Sequence, residues 1–284
     1  MEQAELIGFL NELKSRNKGH NFYSELNERK KSELEFHNAC RDKKDIADLP
    51  HDTYELLHGN KKYYTTVERS RRYVEEWIRR HVPGKVFLDY ACGNGEQAIK
   101  AAQFGSSMSI GLDISDVSVK NAQDAARDAG VAEHCFFVQG DCEKTGLPDA
   151  SVDVVLCSGM LHHLDLSYAF PELRRILKKG GFILGVEALD YNPAIKLYRT
   201  MTPQMRTDWE KNHILSFKDI RFARRFFDIG EVRFWHLFSI LGAGLRLQGL
   251  QSFLDKLDVV LLKVPGLRLM AWQFTFELHK KNEA

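Results

Sequence analysis

The chain has 284 residues, with 40 Lys plus Arg against 39 Asp plus Glu and a formal net charge of +1. Apolar residues make up 44% and charged residues 28%, the mixture of a globular chain that buries a sizeable core, which excludes a disordered or fibrous one. Near-balanced charge counts against a protein built to wrap a phosphate backbone, so nucleic acid is not an expected partner. In chain order, Met1-Glu2-Gln3-Ala4-Glu5 opens acidic with no apolar run behind it, so no secretory leader is expected. Leu6, Phe9, Leu10 and Leu13 recur at helical spacing, and Tyr23 to Ala47 reads as a second, highly charged helical stretch. Tyr73, Trp77 and Ile78 mark one face of a helix that ends near Pro83-Gly84.

From Lys85 short apolar runs alternate with helical segments. The runs are Val86–Leu88, Ser109–Leu112, Cys135–Val138, Val152–Cys157 and Phe182–Val186, and one intervening helix spans Ser167 to Leu177. Strand alternating with helix predicts βαβ units and a parallel sheet covered on both faces, a Rossmann-like α/β fold. After Glu187 the alternation breaks. Residues 191 to about 228 read as a helical insertion, Glu231–Phe238 and Met270–Leu278 as further strands, and Leu241–Leu269 as amphipathic helix. The expected organisation is an N-terminal helical cap (1–84), a binding core (85–190) and a C-terminal part (191–284) holding the insertion and the last strands.

The richest motif is Leu88-Asp89-Tyr90-Ala91-Cys92-Gly93-Asn94-Gly95, at the junction of the first strand and a helix. Gly93 and Gly95 permit a tight turn and close ligand approach, and the helix start offers unpaired N–H groups. Gly93 to Ala98 also fits the dinucleotide pattern G-x-G-x-x-A, which keeps an NAD-dependent oxidoreductase open. Asp113 and Asp141 close the second and third strands. Three acids at successive strand ends suit a cationic nucleoside better than a pyrophosphate, which Asp89 would repel.

These residues resemble the class I S-adenosylmethionine-dependent methyltransferases, particularly the small-molecule group that includes ubiquinone and menaquinone methyltransferases. Gly111-Leu112-Asp113-Ile114-Ser115, Gly140-Asp141-Cys142, Leu147-Pro148-Asp149, Met160-Leu161-His162-His163 and Lys178-Lys179-Gly180-Gly181 continue the likeness over about 100 residues. Ala91 departs from it, standing where the family usually has glycine. The resemblance implies seven strands with the last antiparallel and S-adenosylmethionine across the strand ends. Asp89, Ala91, Cys92, Gly93 and Gly95 would shape the loop beside its methionine part. Asp113 would hold the ribose, Ile114 and the Asp141-Cys142 pair would meet the adenine, and Ser158 or Gly159 would offer backbone to the amine.

A sulfonium donor is already activated, so positioning the acceptor supplies much of the rate, and a base matters when the acceptor is a hydroxyl or an acidic carbon. His162 and His163 are the candidate bases, with Glu187 or Asp190 to orient them; for each histidine, ordinary hydrogen-bonded packing is the competing reading. Residues 191–230 lie where the family inserts a substrate-covering element, with Tyr191-Asn192-Pro193, Leu197-Tyr198-Arg199 and Arg206-Thr207-Asp208 as acceptor-pocket candidates and ordinary helix packing and surface charge as the competing reading. His58 and Tyr63-Tyr64 are candidate covers for the cofactor. Arg221, Arg224 and Arg225 read as a solvated face or as aids to an acidic acceptor. The amphipathic C-terminal segment fits packing or a homodimer surface, with peripheral membrane contact or a tunnel for a lipid-like acceptor as the sharper reading. Residues 191–284 carry 15 positive and 9 negative charges, which leaves room for an anionic partner there.

The five scattered cysteines, Cys40, Cys92, Cys135, Cys142 and Cys157, contain no C-x-x-C pair. That fits reduced thiols in a cytoplasm and no zinc or other metal site. No run reaches the roughly 18 apolar residues of a membrane-spanning helix. The reading is therefore a methyltransferase acting on a small-molecule or lipid-like acceptor, with an NAD-dependent oxidoreductase or a silent cofactor-binding subunit as the alternatives.

Overall fold

The computed structural model describes residues 2–17, 20–42, 67–240 and 248–281. Seven strands, β1 (Val86–Tyr90), β2 (Met108–Asp113), β3 (Cys135–Gln139), β4 (Val152–Ser158), β5 (Leu177–Ala188), β6 (Phe227–Trp235) and β7 (Gln273–Lys280), form one sheet. Their order is β3-β2-β1-β4-β5-β7-β6. The pairs among β1 to β5 are parallel, and β7 runs antiparallel to both β5 and β6. Every residue of β1 and β2 is buried, as strands covered on both faces require.

On one face lie α1 (Gln3–Arg16), α7 (Leu166–Ile176) and α10 (Phe217–Ala223). Leu6, Leu10 and Leu13 of α1, each no more than 3% exposed, join the same apolar cluster as Leu88, Ile110 and Val138 of the sheet. At about 1.5–3 kcal/mol for each fully buried leucine, that helix is fastened to the core rather than laid loosely on it. The opposite face carries α4 (Glu68–His81), whose Val74, Trp77 and Ile78 meet Phe87, Val154 and Leu184. Beside it, α5 (Glu96–Gln103) and α6 (Asp116–Asp128) enclose Cys92, Ala98, Val119 and Phe137.

The charged stretch from Tyr23, read as a helix or a helical pair, is a pair, α2 (His20–Glu25) and α3 (Glu28–Arg41). Asn27 makes the break, because its side chain accepts the Lys30 N–H at 3.0 Å and so starts a new helix. β6 begins four residues earlier than its apolar pattern suggests, since Phe227, buried on one face, pairs with Lys280. The insertion after β5 comprises α8 (Pro193–Met201) and the short α9 (Asp208–Asn212) ahead of α10. Between β6 and β7, α11 (Gln248–Leu261) and α12 (Pro265–Arg268) replace a tight hairpin. Among the described residues no helix is long and apolar enough to cross a membrane, and no disulfide joins the cysteines.

Candidate active site

The turn from β1 into α5 contains three left-handed residues, Ala91 (φ 60°), Gly93 (φ 52°) and Gly95 (φ 79°). The left-handed backbone at Ala91 accounts for the expectation of glycine there, alanine carrying a modest conformational cost. A Cβ on Gly95 would sit 2.7 Å from Ala122 Cβ and 2.8 Å from the Phe137 ring, so the turn is packed hard against α6 and β3. Asp113 braces it from the neighbouring strand. Its Oδ2 accepts the Gly93 N–H at 2.7 Å and its Oδ1 accepts the Ser115 N–H at 2.9 Å. Each oxygen keeps a lone pair for a ligand hydroxyl.

Asp89 is buried beneath the loop and accepts the Ala98 N–H at 3.1 Å. Burial pushes its carboxyl up to about 7, against the opposing effect of that hydrogen bond. Cys92 turns its side chain into the apolar cluster under the loop, so it contributes backbone geometry rather than a contact surface.

A small pocket of about 100 Å³ opens at the ends of β1 to β4. Ala91, Asp113, Ile114, Asp141, Cys142 and Ser158, six of the ten expected cofactor residues, line it. Gly93, Gly95, Asp89 and Cys92 lie in or under its floor loop and are not among the lining residues. The roof is α3. Lys30 Nζ lies 2.6 Å from Asp141 Oδ2 and 2.8 Å from Glu143 Oε2, Arg29 pairs with Glu143, and the Arg41 guanidinium rests on Gly93 where a Cβ would stand.

None of these α3 residues emerged from the sequence, although Lys30, Glu33, His37 and Arg41 recur at helical spacing. A polar stripe reads as a solvated face unless an acidic partner surface is known to oppose it. Two cations, Lys30 and Arg29, seated against Asp141 and Glu143 show the sign of charge that this site favours. The residues present therefore fit a positively charged nucleoside and oppose a pyrophosphate. Small-molecule sites usually enclose about 300–1,000 Å³, so a nucleoside needs α3 to move outward.

The two histidines diverge. His163 faces the small pocket, where Glu33 Oε2 lies 3.0 Å from its Nδ1, and burial with the adjacent His162 ring lowers its pKa. Glu33 stays ionised despite burial, because bonds from His163, His37 and Thr207 hold its carboxyl below the usual range. Glu33, His37 and His163 also bring their ligand atoms within 4.8 Å of one another, a two-histidine, one-carboxylate set able to hold a divalent transition ion. The sequence did not signal that set, since His163 lies 126 residues beyond His37 and 130 beyond Glu33.

His162 faces the other way, into a cavity of about 570 Å³. Glu187, fully buried on β5, accepts the Met160 and Leu161 N–H groups at 2.8 and 2.6 Å with one oxygen and meets His162 Nδ1 at 2.7 Å with the other. Burial works against the imidazolium, yet the Glu187 charge outweighs it and raises the His162 pKa. The alternative orienter, Asp190, lies 3.2 Å from Lys196 Nζ. Ile195, Tyr198, Phe238, Leu267, Met270 and Trp272 make the cavity largely apolar, while Arg199 and Arg206 sit within 3.6 Å of Glu210 at its polar end. Asn192 lines it and caps α8. Arg221, Arg224 and Arg225 are exposed on and just after α10, away from this cavity, and His58 and Tyr63-Tyr64 lie outside the described residues.

Residues 88–185 match the family model of a methyltransferase domain. The chain is 38% identical over 99 residues to a 27-O-demethylrifamycin SV methyltransferase of Amycolatopsis mediterranei, spanning 34% of this chain and 36% of that protein. It is 37% identical over 123 residues to a ubiquinone/menaquinone biosynthesis C-methyltransferase of Ectopseudomonas mendocina, spanning 42% and 48%. Each of these relatives is thus matched over less than half of its length. Among solved structures, a geranyl diphosphate C-methyltransferase from Streptomyces coelicolor A3(2) superposes with a TM-score of 0.61 at 15% identity, covering 90% of this chain and 99% of that one. That likeness is one of fold.

Proposed function

We propose that this chain, whose residues 88–185 form a class I S-adenosylmethionine-dependent methyltransferase domain, methylates an O, N or C atom of a small, largely apolar acceptor. S-adenosylmethionine is the cofactor of such a domain and supplies, when bound, a methyl group already activated on a sulfonium. Asp113 and Asp141 are assigned to its ribose and adenine, with Ala91, Ile114, Cys142 and Ser158 along its length. Asp89, through the loop it braces, adds negative charge beneath the sulfonium end.

One observation carries the reading. The adjacent His162 and His163, their ring centroids 4.2 Å apart, line the apolar cavity and the acidic pocket respectively, so the two spaces lie side by side. A donor in one and an acceptor in the other meet where these spaces adjoin, and alignment there supplies most of the acceleration. His162 is assigned as the base for an acceptor that must lose a proton, with Glu187 fixing its ring and favouring the imidazolium that forms. His163, tied to Glu33, is assigned to packing and to holding α3. Residues 191–240 and 262–272 supply the acceptor walls.

Incubation with S-adenosylmethionine and a panel of apolar phenols, quinols and prenylated compounds, read by mass spectrometry for S-adenosylhomocysteine and a methylated product, tests this directly. Turnover by the isolated chain supports it and dismisses a silent partner role. Binding of NAD with no binding of S-adenosylmethionine sinks it.

A further inference from the structure

Ten large apolar side chains stand exposed among the described residues, and eight of them fall between Leu197 and Leu267. They are not scattered there. On α11, Phe253 (61% exposed), Val259 and Val260 (62%) recur at three- and four-residue spacing around the exposed Lys256, and Val264 and Leu267 continue the apolar surface through α12. Leu267 and Phe238 are exposed and also line the 570 Å³ cavity, so the greasy surface runs into the greasy interior. α8, which lines that cavity through Ile195 and Tyr198, exposes Leu197 and Met201 outside it.

The charges on this face have one sign. Lys256, Lys263 and Arg268 are its exposed ionic groups, and its acids are withdrawn. Asp258 is fully buried and caps the chain after β6, accepting the N–H groups of Leu237, Phe238 and Ser239 at 2.8–3.1 Å. Asp255 is half-buried on the side of Arg69, whose guanidinium bonds its carbonyl. A second copy of the chain, presenting the same face across a two-fold axis, would set lysine against lysine. A surface of apolar side chains with interspersed cations and no exposed acid complements an anionic lipid headgroup layer.

We infer that α11 and α12 dock this protein on an anionic phospholipid surface and set the mouth of the apolar cavity against the bilayer, so that the acceptor is a membrane-resident amphiphile. Docking is interfacial, since no described helix is long and apolar enough to cross a membrane. The acceptor half of this inference rests on the proposed methyl transfer; the docking half does not. Each cation near an anionic surface contributes about a fivefold gain in partition, so the three together provide about a hundredfold over a neutral surface.

Sedimentation with phosphatidylcholine vesicles, with and without phosphatidylglycerol, measures docking in the absence of cofactor. The expected result is binding that requires phosphatidylglycerol, weakens as salt is raised, and falls at least about tenfold in the Phe253→Asp/Val260→Asp and Lys256→Glu/Lys263→Glu double variants. Unchanged S-adenosylmethionine titration and circular dichroism of those variants establish that the cofactor site and the fold survive. Absence of binding to phosphatidylglycerol vesicles at low salt overturns the inference, as does variant binding equal to wild type. A dimer in analytical ultracentrifugation that the Phe253→Asp/Val260→Asp variant splits overturns it too, because the face is then occupied by a second copy.

Discussion

Replacing Glu187 by glutamine perturbs one charge and one proton while leaving the side chain's shape. The new amide oxygen keeps the Met160 and Leu161 N–H bonds, at 2.8 and 2.6 Å in the wild type, so the turn after β4 survives. The amide nitrogen then occupies the position 2.7 Å from His162 Nδ1. It can only donate, so it forces the imidazole proton onto Nε2, the nitrogen that lies 4.0 Å from Glu210 and is left to serve the cavity. A ring protonated there cannot accept a proton from an acceptor. Removing a general base typically costs 10²–10⁴-fold, about 3–5 kcal/mol of barrier, and a histidine locked in the wrong tautomer falls at the upper end. The loss of a charge-assisted bond at a fully buried carboxylate costs about 1.5–3 kcal/mol of stability as well.

Nitrogen-15 NMR of the imidazoles reads the tautomer without any acceptor, and turnover with a hydroxyl acceptor reads the rate. The wild-type ring is expected as the Nδ1–H form, titrating above the ordinary histidine value; the variant as the Nε2–H form, titrating lower. Turnover within a few-fold of wild type, or an unchanged tautomer, refutes the assigned role of His162.

Asp89, raised to about 7 by burial, must lose its proton to favour a neighbouring cation, so S-adenosylmethionine affinity should rise up to tenfold per pH unit below about 7 and level off above it. Calorimetry across that range checks this, and Asp89→Asn should flatten the profile. His236 is buried with its pKa lowered to about 4, so the folded state excludes a proton that the unfolded chain takes up near 6.5. Stability should therefore be lost as pH falls from about 6.5 to about 4, by about 3 kcal/mol in all, and His236→Asn should remove that slope in thermal denaturation. Gly95→Ala imposes a φ of 79° on a side chain that meets Ala122 and Phe137 within 3 Å, which should cost about 2–4 kcal/mol in urea unfolding.

The parallel half of the sheet is legible in the chain because β1, β2 and β4 are buried on both faces and so read as unbroken apolar runs between turns. Asp113 and Asp141 could be placed at strand ends for the same reason. The roof of the pocket was not legible. Lys30 meets Asp141 and Glu143, and Arg41 meets Gly93, all more than 50 residues distant in the chain, and a charged helix with no visible partner looks solvated. Glu187 and Asp190 were equal candidates in sequence; the end of β5 separates them, since Glu187 on the strand meets His162 while Asp190, in the turn beyond Ala188, is left to Lys196. The division of labour between His162 and His163 depends on which way two neighbouring rings turn in a single helical turn, a choice that their spacing does not encode.

The central claim is that the acidic pocket at the ends of β1, β2 and β3 binds S-adenosylmethionine. Titration calorimetry of the wild type and of Asp113→Ala measures it most directly, because Asp113 both braces Gly93 and faces the pocket. Losing a doubly bonded carboxylate should weaken binding at least about tenfold. Saturable wild-type binding of S-adenosylmethionine and S-adenosylhomocysteine with that loss in the variant is the predicted result. No wild-type binding at millimolar cofactor, or equal affinity in the Asp113→Ala variant, contradicts the account.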